Sequence, residues 1–285
     1  MIFSKEELIK SPLNYVGGKY KLLTKILPLF PKDINMFVDM FSGGGNVGIN
    51  VKAKKIVMND IEKTVIDLMN DWKTKGLEFS LKELKEVIDT YKLSKTNEEG
   101  YKQIREDYNN GDKRSVMFYA MLTHAFNYQI RFSKKGKYNM PFGRNRSSFN
   151  PNMEKNFIKF LSKISDKHIF INKDFRKLNL DKLKKDDFVY CDPPYLITCA
   201  SYNEQDGWNE DKERELLKIL EDLDSKEIKF ALSNVLENKG KSNDILKEWA
   251  KKYNIHYLNH TYGNCNYHAK DKSNNSTIEV LITNY

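Results

Sequence analysis

The sequence predicts an α/β protein organised around a mostly parallel, Rossmann-like sheet. Near both ends of the chain, short β-prone segments alternate with loops and amphipathic helices, an alternation typical of parallel sheets. Between residues 61 and 164 only helical periodicities occur. The last two β-prone segments follow each other without a helix, so they are antiparallel neighbours, because parallel neighbours need a long crossover. We therefore expect seven strands, the last antiparallel, interrupted by an inserted helical subdomain.

The composition favours a soluble protein with an anionic partner. The 285 residues include 48 Lys and Arg against 39 Asp and Glu, a net charge of +9, and 12% are aromatic. Excess positive charge beside aromatic rings suits a partner with phosphates and stackable bases. An ordinary charged protein surface is the alternative explanation of the same net charge. Charged residues interrupt the N-terminus before an apolar signal segment forms, and no apolar run is long enough for a membrane span. We expect a cytoplasmic protein with no membrane partner.

The cysteines and histidines predict neither disulfides nor a metal site. Three cysteines without C-x-x-C spacing indicate a reducing compartment and no thiolate cluster. His256 and His260 suggest a zinc site with Cys265 and His268. However, strand positions four apart lie about 13 Å apart along the strand, and no second ligand pair completes a tetrahedron. We therefore expect no bound metal.

The first strand and the loop after it are expected to bind a nucleoside. An irregular lead-in over residues 11–19 precedes a helix predicted over 20–30, and a β-prone run follows over 36–41. The loop Ser42-Gly43-Gly44-Gly45-Asn46-Val47-Gly48 then leads into a short amphipathic helix predicted over 49–53. Strand, glycine loop and helix in this order let a nucleoside approach the backbone closely, with helix N–H groups pointing at it.

Two features of this half leave the class of nucleotide open. The second predicted strand, residues 55–58, ends at Asn59-Asp60, where a carboxylate can accept both hydroxyls of a ribose. Gly43, Gly45 and Gly48 also satisfy the G-x-G-x-x-G pattern of dinucleotide-binding enzymes. An NAD-dependent oxidoreductase is therefore a competing interpretation of this loop.

The middle of the chain is predicted to be a helical insert, residues 76–164, between two parts of a catalytic domain, residues 1–75 and 165–285. From 129 to 149, basic and aromatic side chains alternate around Gly136, the predicted tip of a hairpin. Such a hairpin suits contact with phosphates and base edges, whereas a merely solvated hairpin is the alternative. Helical periodicity occurs over residues 65–72, before the insert, and over residues 81–93, 101–108 and 117–126 within it.

The α/β alternation resumes after the insert. The third predicted strand ends near Asp174-Phe175. The polar connector over residues 263–276 is expected to order only on a partner. The predicted strands cover residues 168–171, 187–191, 228–232, 255–262 and 277–285, and the predicted helices cover 208–223 and 243–253.

The fourth strand leads into the most informative turn of the chain. Three β-prone residues and Cys191 precede Asp192-Pro193-Pro194-Tyr195. Two prolines cannot continue a strand, so the chain turns here and leaves a carboxylate and a ring at a strand end, where open α/β sheets bind ligands. The carbonyls of Asp192 and Pro193 lack local N–H competitors and suit an amino group on a flat heterocycle. Taken alone, the tetrapeptide is also compatible with an ordinary turn.

Together these motifs resemble one family, the α-group of Dam-type S-adenosylmethionine-dependent N6-adenine DNA methyltransferases. Tyr15-Val16-Gly17-Gly18-Lys19 is similar to its first motif, and Phe41-Ser42-Gly43-Gly44-Gly45 to its cofactor loop. Phe126-Asn127-Tyr128-Gln129-Ile130-Arg131-Phe132, with 136–143, resembles its recognition segment, and Asp192-Pro193-Pro194-Tyr195 is its catalytic tetrapeptide. Two departures concern Tyr15, where some relatives carry Trp, and Tyr128-Gln129, in the stretch that varies with recognition.

The resemblance implies S-adenosyl-L-methionine as cofactor, duplex DNA as partner, no metal, and transfer to a flipped-out adenine in a GATC-type site. Asp60 would bind the ribose, Asp174 and Phe175 the adenine of the cofactor. The catalytic residues implied are Asp192, Pro193, Pro194 and Tyr195. The cofactor-binding residues implied are Tyr15, Lys19, Phe41, Ser42, Gly43, Gly45, Asp60, Asp174, Phe175 and Asp192. The DNA-binding residues implied are Asn127, Gln129, Arg131, Lys137, Asn139, Arg144 and Arg146.

Three questions stay open at this level. A methyltransferase of the same fold acting on RNA or on protein glutamine has a similar tetrapeptide, although more often beginning with Asn. The oxidoreductase alternative leaves Asp192 to Tyr195 and the basic hairpin without a role. The enzyme would act either alone or beside a restriction endonuclease that recognises the same site without being bound to it.

Overall fold

A computed structural model describes residues 6–15, 17–198, 207–258 and 277–285. The predicted α/β class is confirmed within them: a single mixed sheet has the strand order β3-β2-β1-β4-β5-β8-β7, and a short β6 pairs with β5. The strands are β1 Met36–Asp39, β2 Lys55–Asp60, β3 His168–Asn172, β4 Phe188–Cys191, β5 Lys229–Asn238, β6 Lys241–Ser242, β7 Asn254–Tyr257 and β8 Thr277–Thr283.

The order of the strands creates a switch point between β1 and β4. Strands β3, β2, β1, β4 and β5 are parallel, with Phe37 of β1 opposite Phe188 of β4. The chain winds from β1 to β2 and β3 on one side, and from β4 to β5 on the other. Ligands of open α/β sheets bind at the carboxyl ends of such strands. The topology therefore places a crevice where β1 runs into the glycine loop and β4 into Asp192.

The last strand is reversed, as predicted. β8 is antiparallel to both of its neighbours, β5 and β7. It enters the sheet between them, so its side chains are covered on both faces, and residues from Val280 to Ile282 are fully buried. This position brings the beginning of β8 towards the carboxyl end of β5, because the two strands run in opposite directions.

The helices begin at side-chain caps in most cases. Asparagine side chains at positions 97, 150, 209 and 243 accept hydrogen bonds from the first turns of α3, α5, α6 and α7, which satisfies N–H groups that lack a partner within the helix. The second helix bends at Gly76, where φ is +73°. The helices are α1 Leu23–Ile26, α2 Lys63–Thr90, α3 Glu98–Asn110, α4 Ser115–Leu122, α5 Pro151–Leu161, α6 Glu210–Ser225 and α7 Asp244–Ala250.

The two faces of the sheet are covered by different parts of the chain. Two successive residues of β1, Phe37 and Val38, point into separate apolar clusters, as the two-residue period of a strand requires. The cluster around Phe37 includes the buried side chains of α2 to α5, and the cluster around Val38 includes those of α6 and α7. The helices between β2 and β3 thus share one core with the sheet, and a division at residues 76–164 remains a prediction.

Several sequence expectations need correction. The helix predicted over residues 49–53 is wrong: the chain forms only a 3-10 turn, Gly48–Asn50, and then extends. The Asn50 side chain accepts from the Ile9 N–H and donates to the carbonyls of Ile9 and Asn46, which ties this turn to the lead-in. Residues 20–30 form α1 between two 3-10 turns rather than one helix.

Two elements were not foreseen from the sequence. The helix α5 begins with the Asn150 cap and Pro151 in its first turn, a start signal present in the sequence. Strand β6 returns antiparallel to β5 through Lys239 and Gly240, both at positive φ. His260, Cys265, His268 and the connector 263–276 lie outside the described residues, as does the end of the strand predicted over 255–262. Of the described helices, none has both the length and the apolar character to cross a membrane.

Candidate active site

A cavity of about 940 Å³ opens at the carboxyl ends of β1 and β4. Its volume lies in the range typical of ligand sites. The helical part of the chain contributes to it through residues such as Phe132 and Gly136. The predicted site residues that line it are Tyr15, Lys19, Phe41, Ser42, Gly43, Asp60, Asp174, Phe175, Asp192, Pro193, Pro194 and Tyr195.

The glycines of the loop after β1 lie close to neighbouring side chains as well as to the cavity. Gly43 has φ +48°, and a Cβ there would lie 2.9 Å from the Tyr15 ring. Gly45 has φ +78°, but a Cβ there would meet the Met58 side chain at 2.7 Å. Its positive φ favours glycine, and Gly45 is not among the described residues that line the cavity, although the sequence grouped it with the cofactor residues. Gly48 also packs against Met58, and no α-helix follows it to direct N–H groups at a pyrophosphate.

Asp60 connects the end of β2 to the glycine loop. Its Oδ2 accepts from the Gly43 N–H at 2.7 Å, and its Oδ1 accepts from the Glu62 N–H at 2.9 Å. Burial raises the pKa of Asp60 to about 6, and these backbone hydrogen bonds oppose the rise. A carboxylate fixed at this strand end suits sugar hydroxyls.

Three aromatic rings form one wall of the cavity. The rings of Phe41, Phe175 and Trp208 lie 5.3 to 5.7 Å apart, which is the contact range of aromatic pairs. Beside them, Arg176 donates to both carboxylate oxygens of Asp174 at 2.9 and 2.6 Å and holds the pKa of Asp174 below its usual range. Sequence reasoning used Trp208 only as the start of a helix. A lone Trp directly before the Asn209 cap was the available signal.

A buried carboxyl group anchors this wall. Glu213 in α6 accepts from the Trp208 indole N–H at 2.6 Å and from the side-chain amides of Asn234 and Asn243 at 3.2 and 3.0 Å. Burial raises the pKa of Glu213, and the hydrogen bond from Trp208 is the largest effect opposing it. Because the three donors converge from different elements, the orientation of the indole is fixed by α6 and β5 together.

The Asp192 turn holds a cluster of charged side chains. Lys19 Nζ lies 2.7 Å from Asp192 Oδ1, and the Tyr195 hydroxyl donates to the same oxygen at 3.0 Å. Burial raises the pKa of Asp192, whereas the charge of Lys19, its hydrogen bond and that of Tyr195 lower it. Asp192 keeps 16% of its side chain exposed. The carboxylate is thus positioned by Lys19 and Tyr195 and still reaches the cavity. Lys19, which the sequence assigned to the cofactor, contacts the carboxylate of Asp192, which the sequence predicts to be catalytic.

Two acidic residues near this cluster were not selected from the sequence. Glu279 of β8 accepts from the Tyr195 hydroxyl at 3.3 Å and lies 3.8 Å from Lys19 Nζ. In the sequence, Glu279 could have been noticed as the one charged residue of a mostly apolar strand. Asp39 of β1 lines the cavity at 1% exposure. Burial and, next, the charges of Asp192 and Asp60 raise the pKa of Asp39 well above its usual value.

The predicted hairpin around Gly136 is present. Phe132 and Tyr138 form an antiparallel bridge, and Gly136, at φ +70°, donates its N–H to the Ser133 carbonyl at 2.8 Å. Arg131 donates from Nε to Asn139 Oδ1 at 2.8 Å and from its terminal nitrogen to the Asn139 carbonyl at 2.9 Å. The two predicted DNA-binding residues therefore form one unit across the hairpin.

The other predicted DNA-binding residues surround this hairpin. Arg144 pairs with Glu98, and Arg146 lies over the Phe126 ring at 5.9 Å. Asn127 is exposed and has φ +53°. With Gln129, it lines a recess that reaches Tyr15 of the lead-in. Lys137 is exposed beside the tip. These side chains lie on the surface rather than in the core, so they can exchange partners.

A doubly wound sheet with an aromatic and acidic cleft at its switch point defines a class of protein: α/β proteins that bind a ligand at the carboxyl ends of their strands. The model of one family, described as D12 class N6 adenine-specific DNA methyltransferase, matches residues 15–264. The chain belongs to this family, which confirms the resemblance seen in its motifs.

Individual relatives are also similar over most of the chain. The type II methyltransferase M.FokI of Planomicrobium okeanokoites is 47% identical over 97% of the chain, and the modification methylase StsI of Streptococcus sanguinis is 44% identical over all of it. The chain spans 43% and 44% of the lengths of these two relatives. The DNA adenine methylase of Escherichia coli strain K12 is 27% identical, with 86% of each protein aligned.

Proposed function

We propose that this chain transfers a methyl group from S-adenosyl-L-methionine to N6 of an adenine that is flipped out of duplex DNA. One observation carries the proposal: the Asp192 carboxylate, anchored by Lys19 and Tyr195, opens into the same cavity as the glycine loop and Asp60. A nucleoside-binding cleft and an acceptor for an amino group thus share one space.

The chemistry of the cleft fits the proposed cofactor. The Phe41, Phe175 and Trp208 rings suit a purine, and Asp60 suits ribose hydroxyls. The Asp192, Glu279 and Asp39 carboxyls lie near the catalytic turn and suit a cationic centre. When bound, S-adenosylmethionine supplies an electrophilic methyl group on a sulfonium. The remaining steps belong to the residues of this chain.

Asp192 and Pro193 would activate the target amine. The lone pair of the adenine N6 is delocalised into the ring, so the amine is a poor nucleophile. If Asp192 Oδ2 accepts one N6–H and the Pro193 carbonyl accepts the other, both acceptors favour a pyramidal nitrogen. These hydrogen bonds strengthen as positive charge develops on N6, so the stabilisation is specific to the transition state. The two prolines fix the carbonyl in place and lower the cost of orientation.

Tyr195 would hold the flipped base. A paired adenine cannot enter this cavity, and flipping costs a few kcal/mol. Lys19 Nζ lies 5.0 Å from the centroid of the Tyr195 ring, so the adenine would stack on the face of the ring turned away from Lys19. The Tyr195 hydroxyl, shared between Asp192 and Glu279, fixes the plane of the ring.

The DNA site is the least constrained part of the proposal. A GATC-type site follows from the resemblance to Dam-type enzymes, but the chain is 27% identical to the E. coli DNA adenine methylase and 44–47% identical to M.FokI and StsI. This difference favours an adenine-containing site other than GATC. It also favours a role in modification beside a restriction endonuclease that recognises the same site.

The test is transfer of tritiated methyl from S-adenosylmethionine to unmethylated duplexes with and without GATC. Nucleoside analysis of the labelled DNA should give N6-methyladenine. Asp192→Ala should abolish transfer, whereas Asp186→Ala, an exposed carboxylate at the other end of β4, should retain it. Label confined to GATC duplexes would show that the recognised site is of the GATC type. Label only on RNA or on protein glutamine, or binding of NADH in place of the cofactor, would contradict the proposed reaction.

A further inference from the structure

Glu213 is a buried carboxylate in the first turn of α6 that lies behind the aromatic wall of the cavity. It is fully buried and is not among the described residues that line the cavity, whereas Trp208 is. Its Oε2 accepts from the Trp208 indole N–H at 2.6 Å, and its Oε1 accepts from the side-chain amides of Asn234 and Asn243 at 3.2 and 3.0 Å. Glu213 therefore reaches the cavity only through the indole.

The three hydrogen-bond donors around Glu213 fit a carboxylate and do not fit an amide. A carboxylate has only acceptors, whereas an amide must direct its NH2 group at one of the three donors. The two asparagine amides cannot reverse to accept from that NH2 group without losing other contacts, since their oxygens accept from the backbone N–H groups of Val235 and Leu246. Replacing Glu213 by Gln therefore breaks a specific part of the network.

The part that breaks is the contact with the indole. An amide oxygen in the place of Oε1 keeps both asparagine donors, and the NH2 group then meets the Trp208 N–H. The opposite orientation keeps one donor and loses two, so the first is favoured. Glu213→Gln is thus expected to leave the links to β5 and α7 in place and to release the indole.

The orientation of Trp208 depends on this hydrogen bond. The indole lies 5.7 Å from the Phe41 ring and 5.5 Å from the Phe175 ring, at interplanar angles of 80° and 42°. Aromatic pairs tolerate several such arrangements at similar energy, so these contacts alone do not select one tilt of the ring. A single N–H donor and a fixed, buried acceptor do select one, because a buried N–H without a partner is unfavourable.

We propose that Glu213 is a positioning residue for the cofactor site, which holds the Trp208 indole in the orientation that completes the aromatic wall. This inference rests on the proposed function, in which the wall binds the adenine of S-adenosylmethionine. Glu213 itself does not contact the cofactor. It prepares the wall before the ligand arrives, so the ligand does not have to order the ring on binding.

A purely structural role for Glu213 makes a different prediction. If Glu213 only joins α6 to β5 and α7, its replacement lowers stability, and any loss of affinity is the same whether or not residue 208 has an N–H group. If Glu213 acts through the indole, its replacement weakens ligand binding only when that N–H group is present. A double-mutant cycle with Trp208→Phe separates the two roles, because it measures the coupling between the two side chains.

The experiment measures the dissociation constant of S-adenosylhomocysteine by calorimetry for wild type, Glu213→Gln, Trp208→Phe and the double variant. Glu213→Gln should weaken binding about fivefold in the wild-type background, as for the loss of one hydrogen bond. In the Trp208→Phe background the same substitution should change the constant by less than twofold. The matched control is Glu221→Gln, the same change near the other end of α6 at an exposed carboxylate paired with Lys252, and it should leave the affinity unchanged.

A second measurement is made on the wild-type protein, so it does not depend on the folding of Glu213→Gln. The indole N–H proton of Trp208, assigned through its loss in Trp208→Phe, should resonate downfield of that of Trp249. A short hydrogen bond to a carboxylate deshields the first proton, whereas Trp249 Nε1 has no hydrogen-bond partner among the described residues. The downfield position should persist when S-adenosylhomocysteine is bound.

Three results would count against the inference. An equal loss of affinity in both backgrounds, or no loss in Glu213→Gln, would overturn the role of Glu213 and leave the proposed reaction intact. A Trp208 resonance that is not shifted downfield would do the same. Failure of the wild type to bind S-adenosylhomocysteine would instead contradict the proposed cofactor, and the inference would fall with it.

Discussion

The Asp192 turn and the Gly136 hairpin use charge in opposite ways. At the turn, Lys19 and Glu279 are almost fully buried and each contacts a fixed partner. On and beside the hairpin, Lys137 and Arg144 are exposed, and the arginine pairs with the partly exposed Glu98. Exposed pairs contribute little to stability, so they can be exchanged for phosphates or bases. Chemistry needs groups fixed before the substrate arrives, whereas recognition needs groups that can change partners.

The largest effect is expected at the turn. Asp192→Asn replaces the carboxylate that would accept N6–H with a neutral amide, a weaker acceptor, and leaves the buried Lys19 cation without its nearest counter-charge. The single-turnover rate of methyl transfer should fall by roughly a thousandfold or more, as for the loss of a pre-oriented transition-state contact. Asp186→Asn serves as the control. A rate within a few-fold of wild type would remove Asp192 from the reaction and with it the contrast between the two regions.

Asp60 tests whether the buried charges of the cleft cost stability. Its pKa of about 6 lies above the usual value of 3.8, so the folded state binds more protons than the unfolded state between these values. Stability from this group is therefore greatest at low pH and decreases as the pH rises from about 4 to about 6. The free energy of unfolding of wild type relative to Asp60→Asn should decrease by roughly 2 kcal/mol over this range. A difference that does not vary with pH would contradict the assigned pKa.

Trp208 tests the aromatic wall of the cleft. Trp208→Ala should weaken the binding of S-adenosylhomocysteine by about tenfold, because stacking of a base on an aromatic side chain contributes about 1–3 kcal/mol. Trp208→Phe keeps a ring but loses the hydrogen bond to Glu213, so its affinity for S-adenosylhomocysteine should lie between those of wild type and Trp208→Ala. The control is Trp249→Phe, in the core outside the cavity. Equal affinity in all four proteins would exclude Trp208 from the site.

Lys137 and Arg131 test whether the exposed side chains of the hairpin bind DNA. Lys137→Ala should weaken DNA binding a few-fold for every sequence and reduce the salt dependence by about one unit of slope, as for the loss of a phosphate contact. Arg131→Ala, which breaks the unit with Asn139, should instead reduce discrimination between sites by about 1–3 kcal/mol. Filter binding at several salt concentrations distinguishes them. Lys185→Ala, at the opposite edge of the sheet, is the control, and an equal loss there would show only a general charge effect.

Motif reading succeeded where chemistry depends on neighbours in the chain. The glycine loop and Asp192 follow their strands directly, so sequence position alone brought them to one edge of the sheet. The same reasoning failed for the helix over residues 49–53, because the side chain of Asn50 binds the distant Ile9 backbone. The assignment of Gly45 to the cofactor stays a prediction, since its backbone has a positive φ and a Cβ there would meet the Met58 side chain.

Sequence patterns alone indicate the α/β class, the reversed last strand, the turn at Asp192 and the resemblance to a DNA methyltransferase family, because these depend on local periodicity and on motifs of contiguous residues. The partners of the Asp192 carboxylate, in contrast, follow only from the three-dimensional arrangement of the chain. Lys19, Asp192 and Glu279 come from the beginning, the middle and the end of the chain, and no periodicity links them. They meet because β8 enters the sheet between β5 and β7, and the choice of strand neighbours depends on how the whole core packs.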